Sequence, residues 1–301
     1  MSTSLRARAL IASMWLTRRK QTFADIGKLY ESIESRQRPE NARPPATVRR
    51  HLSVECEEIH GRPVYTLRPR GRPSSRHVLY LHGGAYVHQI QRDHWSFLSR
   101  LVRATGCTAT APLYPLAPNH HYDDTIALVE AVYKEKLGGV APQDQILMGD
   151  SAGGALSLVL ARKLRDEGRP QPREIVMISP WLDVTLADPD QLDHDRHDPY
   201  LAIPGLREAG RLYAGSLDPD DPLVSPLHGD LRGLGALTVF VGTRDVLLSD
   251  ARRLRAKAAA QGVPLEYHEY PGMFHAWVIA GIPEAKRAGS LIAEIVQRGA
   301  R

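Results

Sequence analysis

The stretch that decides the fold is Gln145-Ile-Leu-Met-Gly-Asp-Ser-Ala-Gly-Gly154. A short apolar run ends at Gly149, and a segment with apolar residues at helical spacing begins after Gly154. The pattern predicts a strand, a tight turn and a helix, with Ser151 at the apex of the turn. Glycines on both sides of the serine allow the strand and the helix to pass closely, where a Cβ atom would clash. The N-terminus of the helix also directs free N–H groups and a partial positive charge toward the serine.

The pattern Gly-x-Ser-x-Gly between a strand and a helix is typical of the nucleophile elbow of α/β-hydrolases. In such an elbow the strained turn holds the serine hydroxyl clear of the backbone, at the carboxyl end of the sheet. The alternative is an ordinary turn in which Ser151 only caps the helix. The pentapeptide alone does not separate these interpretations, so the rest of the chain has to decide between them.

Length and composition indicate a globular protein. The chain has 301 residues, of which 43% are hydrophobic and 24% charged, and this fits either one large α/β domain with a small appendage or two average domains. The net charge of +5 comes from scattered arginines, so we expect no nucleic-acid partner. The two cysteines, Cys56 and Cys107, are too few for a disulfide framework or a metal site and suggest a reducing compartment or structural thiols.

The beginning of the chain is both basic and apolar. Arg6 and Arg8 precede the apolar run Ala9–Leu16, but Thr17-Arg-Arg-Lys20 stands where a signal cleavage site would be expected. No segment approaches the roughly 20 apolar residues that span a membrane. We therefore expect a soluble, cytoplasmic protein with no integral membrane segment. Contact between this basic amphipathic segment and a membrane surface stays open.

Two regions of unequal size are predicted. Residues 1–48 show apolar faces at helical spacing in two helices, and the segment is too small to fold alone, so it should pack on the remainder. Residues 49–301 form the larger domain. They begin with an antiparallel hairpin around Gly61, because residues 50–60 and 62–69 alternate apolar and polar side chains.

Strands and helices alternate after the hairpin. Six further strands are predicted at His77–Leu81, Cys107–Ala111, in the run before Ser151, and at Glu174–Ile178, Leu237–Val241 and Leu265–Tyr270. Residues 182–205 are predicted to be irregular. The alternation predicts an α/β fold with an eight-stranded, mostly parallel sheet that helices flank on both faces. Such sheets place their functional sites at the carboxyl ends of the strands.

The loop His82-Gly-Gly-Ala-Tyr86 follows the first parallel strand. Lipases and esterases build half of their oxyanion hole from a His-Gly-Gly loop. Adjacent glycines allow bare N–H groups to point at a developing alkoxide, and Ala152 offers the N–H group that follows the nucleophile. The alternative is a flexible loop. We interpret His82 as a structural residue of this loop and not as the catalytic base.

Asp245 and His275 complete a predicted catalytic triad with Ser151. Asp245 follows the strand that ends at Val241, and His275 follows the last strand, so the chain order is the one that the α/β-hydrolase fold requires. His275 would accept the serine proton, while Asp245 would fix the imidazole tautomer and stabilise the imidazolium. Asp250 is the rival acid, but its position at a helix start is explained by capping.

The chain resembles the hormone-sensitive-lipase-like branch of the α/β-hydrolases, which includes bacterial carboxylesterases and arylacetamide deacetylases. The resemblance runs from about residue 76 to the end, through six motifs in order: His82-Gly-Gly-Ala-Tyr86, Tyr114-Pro-Leu-Ala-Pro118, Gly149-Asp-Ser-Ala-Gly-Gly154, Ser179-Pro-Trp-Leu-Asp183, Asp245-Val-Leu and Gly272-Met-Phe-His275. It implies that Gly83, Gly84 and Ala152 form the oxyanion hole. It also implies a helical cap over the acyl pocket, built from residues 1–48 and 183–210.

The chain departs from the usual pattern of that branch at four positions. Ala85 stands where a third glycine is frequent, Ala155 where asparagine is frequent, Pro115 where arginine is usual and Asn119 where glutamate is usual. We interpret these differences as altered details of the scaffold and the substrate pocket that leave the triad intact.

The predicted function is hydrolysis of short- to medium-chain carboxylic esters through an acyl-enzyme on the Ser-His-Asp triad. The partner is a small-molecule ester, and the reaction needs no cofactor. Tyr86 and Trp181 are predicted to contact the substrate, although Trp181 is equally compatible with core packing. Members of the resembled family often form dimers, so a homodimer is possible.

Two other functions stay open at this point. Amide hydrolysis of the arylacetamide deacetylase or formamidase type would use the same residues, because both reactions pass through the same kind of oxyanion. A hydrolase-fold binding protein, such as the plant gibberellin receptors that resemble this family but lack the histidine, is disfavoured by His275. The acidic and histidine-rich run at residues 193–198 has metal-ligand character, but we interpret it as a solvated loop and predict no metal site.

Overall fold

The computed structural model describes residues 3–299, apart from the side chain of Pro39. Eight strands form one sheet in the order β1-β2-β4-β3-β5-β6-β7-β8. Their bounds are β1 Leu52–Ile59, β2 Arg62–Pro69, β3 His77–Leu81, β4 Thr108–Pro112, β5 Gln145–Asp150, β6 Glu174–Ile178, β7 Ala236–Gly242 and β8 Leu265–Tyr270. β2 runs antiparallel to both of its neighbours, and the other pairs are parallel. The predicted eight-stranded, mostly parallel sheet is therefore confirmed.

Helices precede the sheet and then alternate with its strands. In the described part of the chain the α-helices are α1 Leu5–Leu16, α2 Gln21–Ala24, α3 Ile26–Arg36, α4 Ala46–His51, α5 Arg92–Thr105, α6 Tyr122–Leu137, α7 Ala152–Asp166, α8 Gln191–His197, α9 Ile203–Ala214, α10 Leu248–Ala260 and α11 Pro283–Gln297. None of the helices within residues 3–299 combines the length and the apolar character needed to cross a membrane.

The core consists of two apolar layers, one on each face of the sheet. Successive residues of a strand point to opposite faces, so Leu79 joins the layer that includes α6 and α7, whereas Val78 joins the layer that includes α5 and α11. Every residue of β3, β5 and β6 is buried. This explains why the central strands are continuous apolar runs without polar alternation.

Of the helices that precede the sheet, α2 and α3 pack against α9, which follows β6 in the chain, whereas α1 contacts α11. Gly205 permits the closest approach, since a Cβ atom there would lie 2.5 Å from the carbonyl oxygen of Phe23 in α2. The sequence predicted two helices before β1, and the structure has four α-helices. Asp25 separates α2 from α3, because its side chain accepts the N–H of Lys28 and caps the start of α3. The region 182–205, predicted to be irregular, contains α8.

Candidate active site

Ser151 lies at the sharp turn between β5 and α7. Its backbone has φ 53° and ψ −122°, a conformation that costs a non-glycine residue of the order of 1–3 kcal/mol. Ideal Cβ atoms at Gly149 and Gly153 would lie 2.2 Å from the Gly153 carbonyl oxygen and 1.9 Å from the Leu81 carbonyl oxygen respectively. Both glycines are therefore required by close backbone contact, as the sequence pattern predicted.

The Asp150 carboxylate, beside the serine, anchors the His-Gly-Gly loop. It accepts the N–H of Gly83 at 2.9 Å, the Tyr80 hydroxyl at 2.5 Å and Nε2–H of His94 at 3.3 Å. Nδ1 of His94 accepts the N–H of Gln91, so the proton of a neutral ring lies on Nε2. Burial alone would raise the pKa of Asp150, but the charge and hydrogen bond of His94, with the other donors, lower it to about 2.

The backbone N–H groups that lack an acceptor near Ser151 are not all those predicted for the oxyanion hole, which stays a prediction. The Gly83 N–H is already donated to Asp150, which makes Gly83 an anchor of the loop. Among residues 3–299, the N–H groups of Gly84, Ala85 and Ala152 have no hydrogen-bond acceptor. Gly84 is fixed as glycine by its φ of +130° and by the carbonyl of His88, 2.4 Å from an ideal Cβ position.

Asp245 and His275 form a buried hydrogen-bonded pair at the carboxyl edge of the sheet. Nδ1 of His275 lies 3.1 Å and 3.0 Å from the two carboxylate oxygens of Asp245. A proton on Nδ1 leaves Nε2 as the acceptor in the neutral ring. Burial alone would lower the pKa of His275, but the Asp245 charge and hydrogen bond, together with Asp198 and Asp150, raise it above its ordinary value.

Asp198, which the sequence analysis placed in a solvated loop, is a second buried carboxylate beside this pair. It accepts the N–H groups of Tyr200 at 2.7 Å, Leu201 at 2.9 Å and Val246 at 3.0 Å. Burial, and next the negative charge of Asp245, raise the pKa of Asp198 to about 7. The bond to the Val246 amide fixes the backbone directly after Asp245.

Asp198 gives a prediction for the pH dependence of activity. Since the pKa of His275 is raised, its imidazolium persists above pH 6.5, and kcat/KM of the free enzyme should fall as the pH decreases through a value above 6.5. Asp198→Asn removes a negative charge that favours the imidazolium, so this acid limb should move to lower pH. The measurement is the pH profile of kcat/KM for both proteins on a soluble ester. An acid limb at the same pH in both would contradict the assigned effect of Asp198.

Asp250, the rival acid in the sequence, is buried away from His275. One of its carboxylate oxygens lies 3.2 Å from the Arg253 guanidinium. Burial and the charge of Asp183 raise the pKa of Asp250 to about 8. Since only Asp245 contacts the imidazole among the described acids, the structure supports Asp245 over Asp250 as the partner of His275.

A cavity of about 460 Å³ opens onto Ser151 and His275. Its walls include apolar side chains of α1, of α2 and of the segment after β8, namely Leu10, Met14, Phe23, Phe274 and Ile279. The Tyr200 ring lies nearly parallel to the His275 imidazole, with centroids 6.3 Å apart. The volume is in the range of sites that enclose small molecules.

Tyr86 and Trp181, predicted to contact the substrate, lie in the core. Both rings are almost wholly buried and neither is among the residues that line the cavity. Tyr86 stacks on Tyr213 with centroids 3.5 Å apart, and the Trp181 indole N–H donates to the Asp183 carbonyl. A role in substrate binding stays a prediction, and this packing favours the core alternative for Trp181.

The run at residues 193–198 is only partly the solvated loop that was expected. Asp193 and His197 are exposed, but Asp195 pairs with Lys20 and Asp198 is fully buried. A different group, Asp183, Asp220 and His228, brings possible metal-ligand atoms within 4.8 Å of one another.

The Arg253 guanidinium already contacts this second group, at the place where a metal ion would have to bind. It lies 3.2 Å from the same Asp183 oxygen that faces His228. The positive charge of the guanidinium would repel a cation bound there.

Comparison with known proteins identifies relatives over most of the chain. A model of the alpha/beta hydrolase fold family matches residues 78–279. An esterase of Acinetobacter venetianus is 33% identical over 270 residues, 83% of this chain and 88% of that protein. An acetyl-hydrolase of Streptomyces hygroscopicus is 36% identical over 74% of this chain and 75% of its own length. The crystal structure of an esterase from the bacterial hormone-sensitive lipase family superposes with a TM-score of 0.83 at 30% identity and covers 100% of both chains.

A sheet of this topology, with a serine held at the turn after its central strand, defines the class of α/β-hydrolases, and the relatives act as carboxylic ester hydrolases. The same class of reaction holds for this chain. It belongs to the hormone-sensitive-lipase-like family of α/β-hydrolase esterases.

Proposed function

We propose that the protein is a serine carboxylesterase that cleaves short- to medium-chain esters through an acyl-enzyme on Ser151. The observation that carries the proposal is the buried Asp245–His275 pair, whose imidazole lines the same cavity as the strained Ser151. Nε2 of His275 removes the proton of Ser151 as the serine oxygen attacks the ester carbonyl carbon. Asp245 holds the proton on Nδ1 and stabilises the imidazolium.

The negative charge of the tetrahedral intermediate falls on the former carbonyl oxygen. We assign its stabilisation to the N–H groups of Gly84, Ala85 and Ala152, which have no other acceptor in the described structure. Loss of one such donor commonly raises the barrier by about 3 kcal/mol. The fixed loop conformation means that these donors need little reorganisation during the reaction.

The second half of the reaction reuses the same groups. His275 returns its proton to the departing alkoxide, and the alcohol leaves. His275 then removes a proton from a water molecule, whose oxygen attacks the acyl carbon. When the bond between the acyl carbon and the Ser151 oxygen breaks, His275 passes this proton to the Ser151 oxygen, and the carboxylic acid leaves. Each proton removed by His275 is returned within its own half-reaction, so the cycle is balanced without a cofactor.

We further propose that residues 1–48 and 183–210 act together as the cap of the cavity. Leu10, Met14 and Phe23 come from the first segment and Tyr200 from the second, and all four line the same cavity. A cavity closed by these apolar side chains limits how long an acyl chain can be held beside Ser151.

A series of p-nitrophenyl esters from acetyl to palmitoyl tests the proposal. We expect kcat/KM to peak at a short or medium acyl chain, because the cavity of about 460 Å³ is bounded by the cap. The matched p-nitroanilides should react far more slowly. A peak at palmitoyl, or faster cleavage of the anilides, would contradict the proposed substrate class. Covalent capture of Ser151 by an organophosphate, seen as a mass increase, tests the nucleophile separately.

A further inference from the structure

The first helix, α1, has apolar residues on opposite sides. Ala7 and Ile11 are buried, and Leu10 and Met14 contribute to the cavity wall. The outward face repeats at the spacing i, i+4, i+7 and i+11, and its members are Leu5, Ala9, Ala12 and Leu16. Leu5 and Leu16 are 82% and 85% exposed. A helix that is apolar on its outer face normally has something to cover that face.

Exposed apolar side chains are concentrated on the cap. The large hydrophobic residues that are exposed within residues 3–299 are Leu5, Trp15, Leu16, Ile26, Tyr30 and Leu192. All six lie within residues 1–48 or 183–210, while the sheet and its flanking helices expose none. Three of the six, Leu5, Trp15 and Leu16, belong to α1, so this one helix carries the largest share of exposed apolar side chains.

The charged side chains of the segment that carries this apolar face are all basic. Residues 5–20 contain Arg6, Arg8, Arg18, Arg19 and Lys20 and no acidic residue. Lys20 pairs with Asp195, but the guanidinium groups of the four arginines form no ion pair or hydrogen bond among the described residues. A segment with apolar and free cationic side chains fits a negatively charged, apolar partner.

We propose that the outer face of α1, with its arginines, docks onto an anionic lipid surface. The apolar residues would enter the boundary between headgroups and acyl chains, and the arginines would meet the anionic headgroups. A second copy of this chain is a poorer occupant, because a symmetric dimer through the same face would bring the arginines of both copies together. Trp15, 42% exposed beside Leu16, is a residue type favoured at lipid–water boundaries.

The docking would place the cavity wall close to the lipid. The inner face of α1 supplies Leu10 and Met14 to the cavity, so the same helix would contact both the lipid surface and a bound substrate. This second step rests on the proposed function, because it identifies membrane-dissolved esters as the substrates. The binding step does not depend on catalysis and can be tested by itself.

Binding of the full chain to sucrose-loaded vesicles, followed by sedimentation, tests the proposal. We expect binding at least tenfold stronger to phosphatidylcholine vesicles with about 30 mol% phosphatidylglycerol than to phosphatidylcholine alone, and weaker binding at high salt. Trp95, Trp181 and Trp277 are fully buried, so a blue shift of tryptophan emission should report Trp15. Trp15→Phe should remove most of the shift.

Double variants distinguish vesicle binding by the outer face of α1 from binding through the overall positive charge of the protein. Leu5→Ser with Leu16→Ser, and Arg6→Glu with Arg8→Glu, should each lower vesicle binding at least tenfold. The matched control is Arg72→Glu with Arg103→Glu, which changes the net charge equally at exposed residues near the amino ends of β3 and β4. The control should retain most of the binding.

Three results would overturn the proposal: no binding to either vesicle, equal loss of binding in the control and in the α1 variants, or a wild-type dimer that Leu5→Ser with Leu16→Ser converts to a monomer. Hydrolysis of soluble p-nitrophenyl acetate by the α1 variants should stay within twofold of wild type. If wild type binds vesicles but does not hydrolyse the acetate ester, the docking proposal stands and the proposed function fails.

Discussion

Ser151→Ala is expected to lower kcat on a short-chain ester by about 10⁵-fold or more. The alanine has no oxygen to attack the ester, and the free N–H groups around the cavity can only support a slow attack by water. His275→Ala should have a similar effect, and the double variant should be no slower than either single variant. This non-additivity is the signature of residues that act as one unit. Steady-state rates with purified protein measure all three.

Ser157→Ala is the matched control for the loss of a hydroxyl group. Ser157 is buried on the same helix, α7, where its hydroxyl donates to the Gly153 carbonyl at 2.8 Å. Its removal should change kcat only by a few-fold. Substantial activity in Ser151→Ala, with the same chain-length profile as the wild type, would rule out Ser151 as the nucleophile.

Gly153→Ala is expected to destabilise the fold by more than about 3 kcal/mol, the upper end of the usual effect of overpacking. The added Cβ atom would lie 1.9 Å from the carbonyl oxygen of Leu81 and 2.6 Å from that of His82. Both contacts are with backbone, so a change of side-chain rotamer cannot relieve them. The helix has to move away from the strand, and the turn at Ser151 moves with it. Urea unfolding of the variant and the wild type measures the difference in their free energies of unfolding.

Gly289→Ala is the control for placing alanine at a helical glycine. Gly289 lies within α11, and nothing approaches within 4 Å of its ideal Cβ position. Alanine there should stabilise the protein by about 0.5–1 kcal/mol through helix propensity. If Gly153→Ala has the same effect as Gly289→Ala, the close passage of α7 over β3 is not as the structure shows it.

The fold could be predicted largely because its signals are local. β3 and β6 have the bounds read from the sequence, since buried parallel strands are short, largely apolar runs that end at turns. The division of the first 48 residues into several helices was less accessible. The break between α1 and α2 depends on a turn whose residues Thr17–Lys20 carry no proline or glycine. The short helix α8 lies in a polar segment without apolar periodicity.

The candidate active site was proposed from residues that have a fixed place relative to a strand. Ser151, Asp245 and His275 each follow a strand in the expected order, and the structure brings the last two into contact. Asp198 was missed as an individual residue because its partners are backbone N–H groups, and Val246 is distant in sequence. The engagement of Gly83 by Asp150 was missed for the same reason: a motif identifies an N–H group but not the acceptor that already occupies it.

The loop around α8 joins residues 1–48, part of the proposed cap, to Asp245, the proposed catalytic acid. Lys20, between α1 and α2, donates to the carbonyl oxygens of Asp195 and Asp198, and the Asp198 side chain accepts the amide after Asp245. The cap is therefore not an interchangeable module. A chimera that grafts the first 48 residues of a relative onto this scaffold would replace Lys20, the residue that donates to Asp195 and Asp198. To preserve the alignment of Asp245, the donor segment has to bring its own counterpart of residues 191–201 with it.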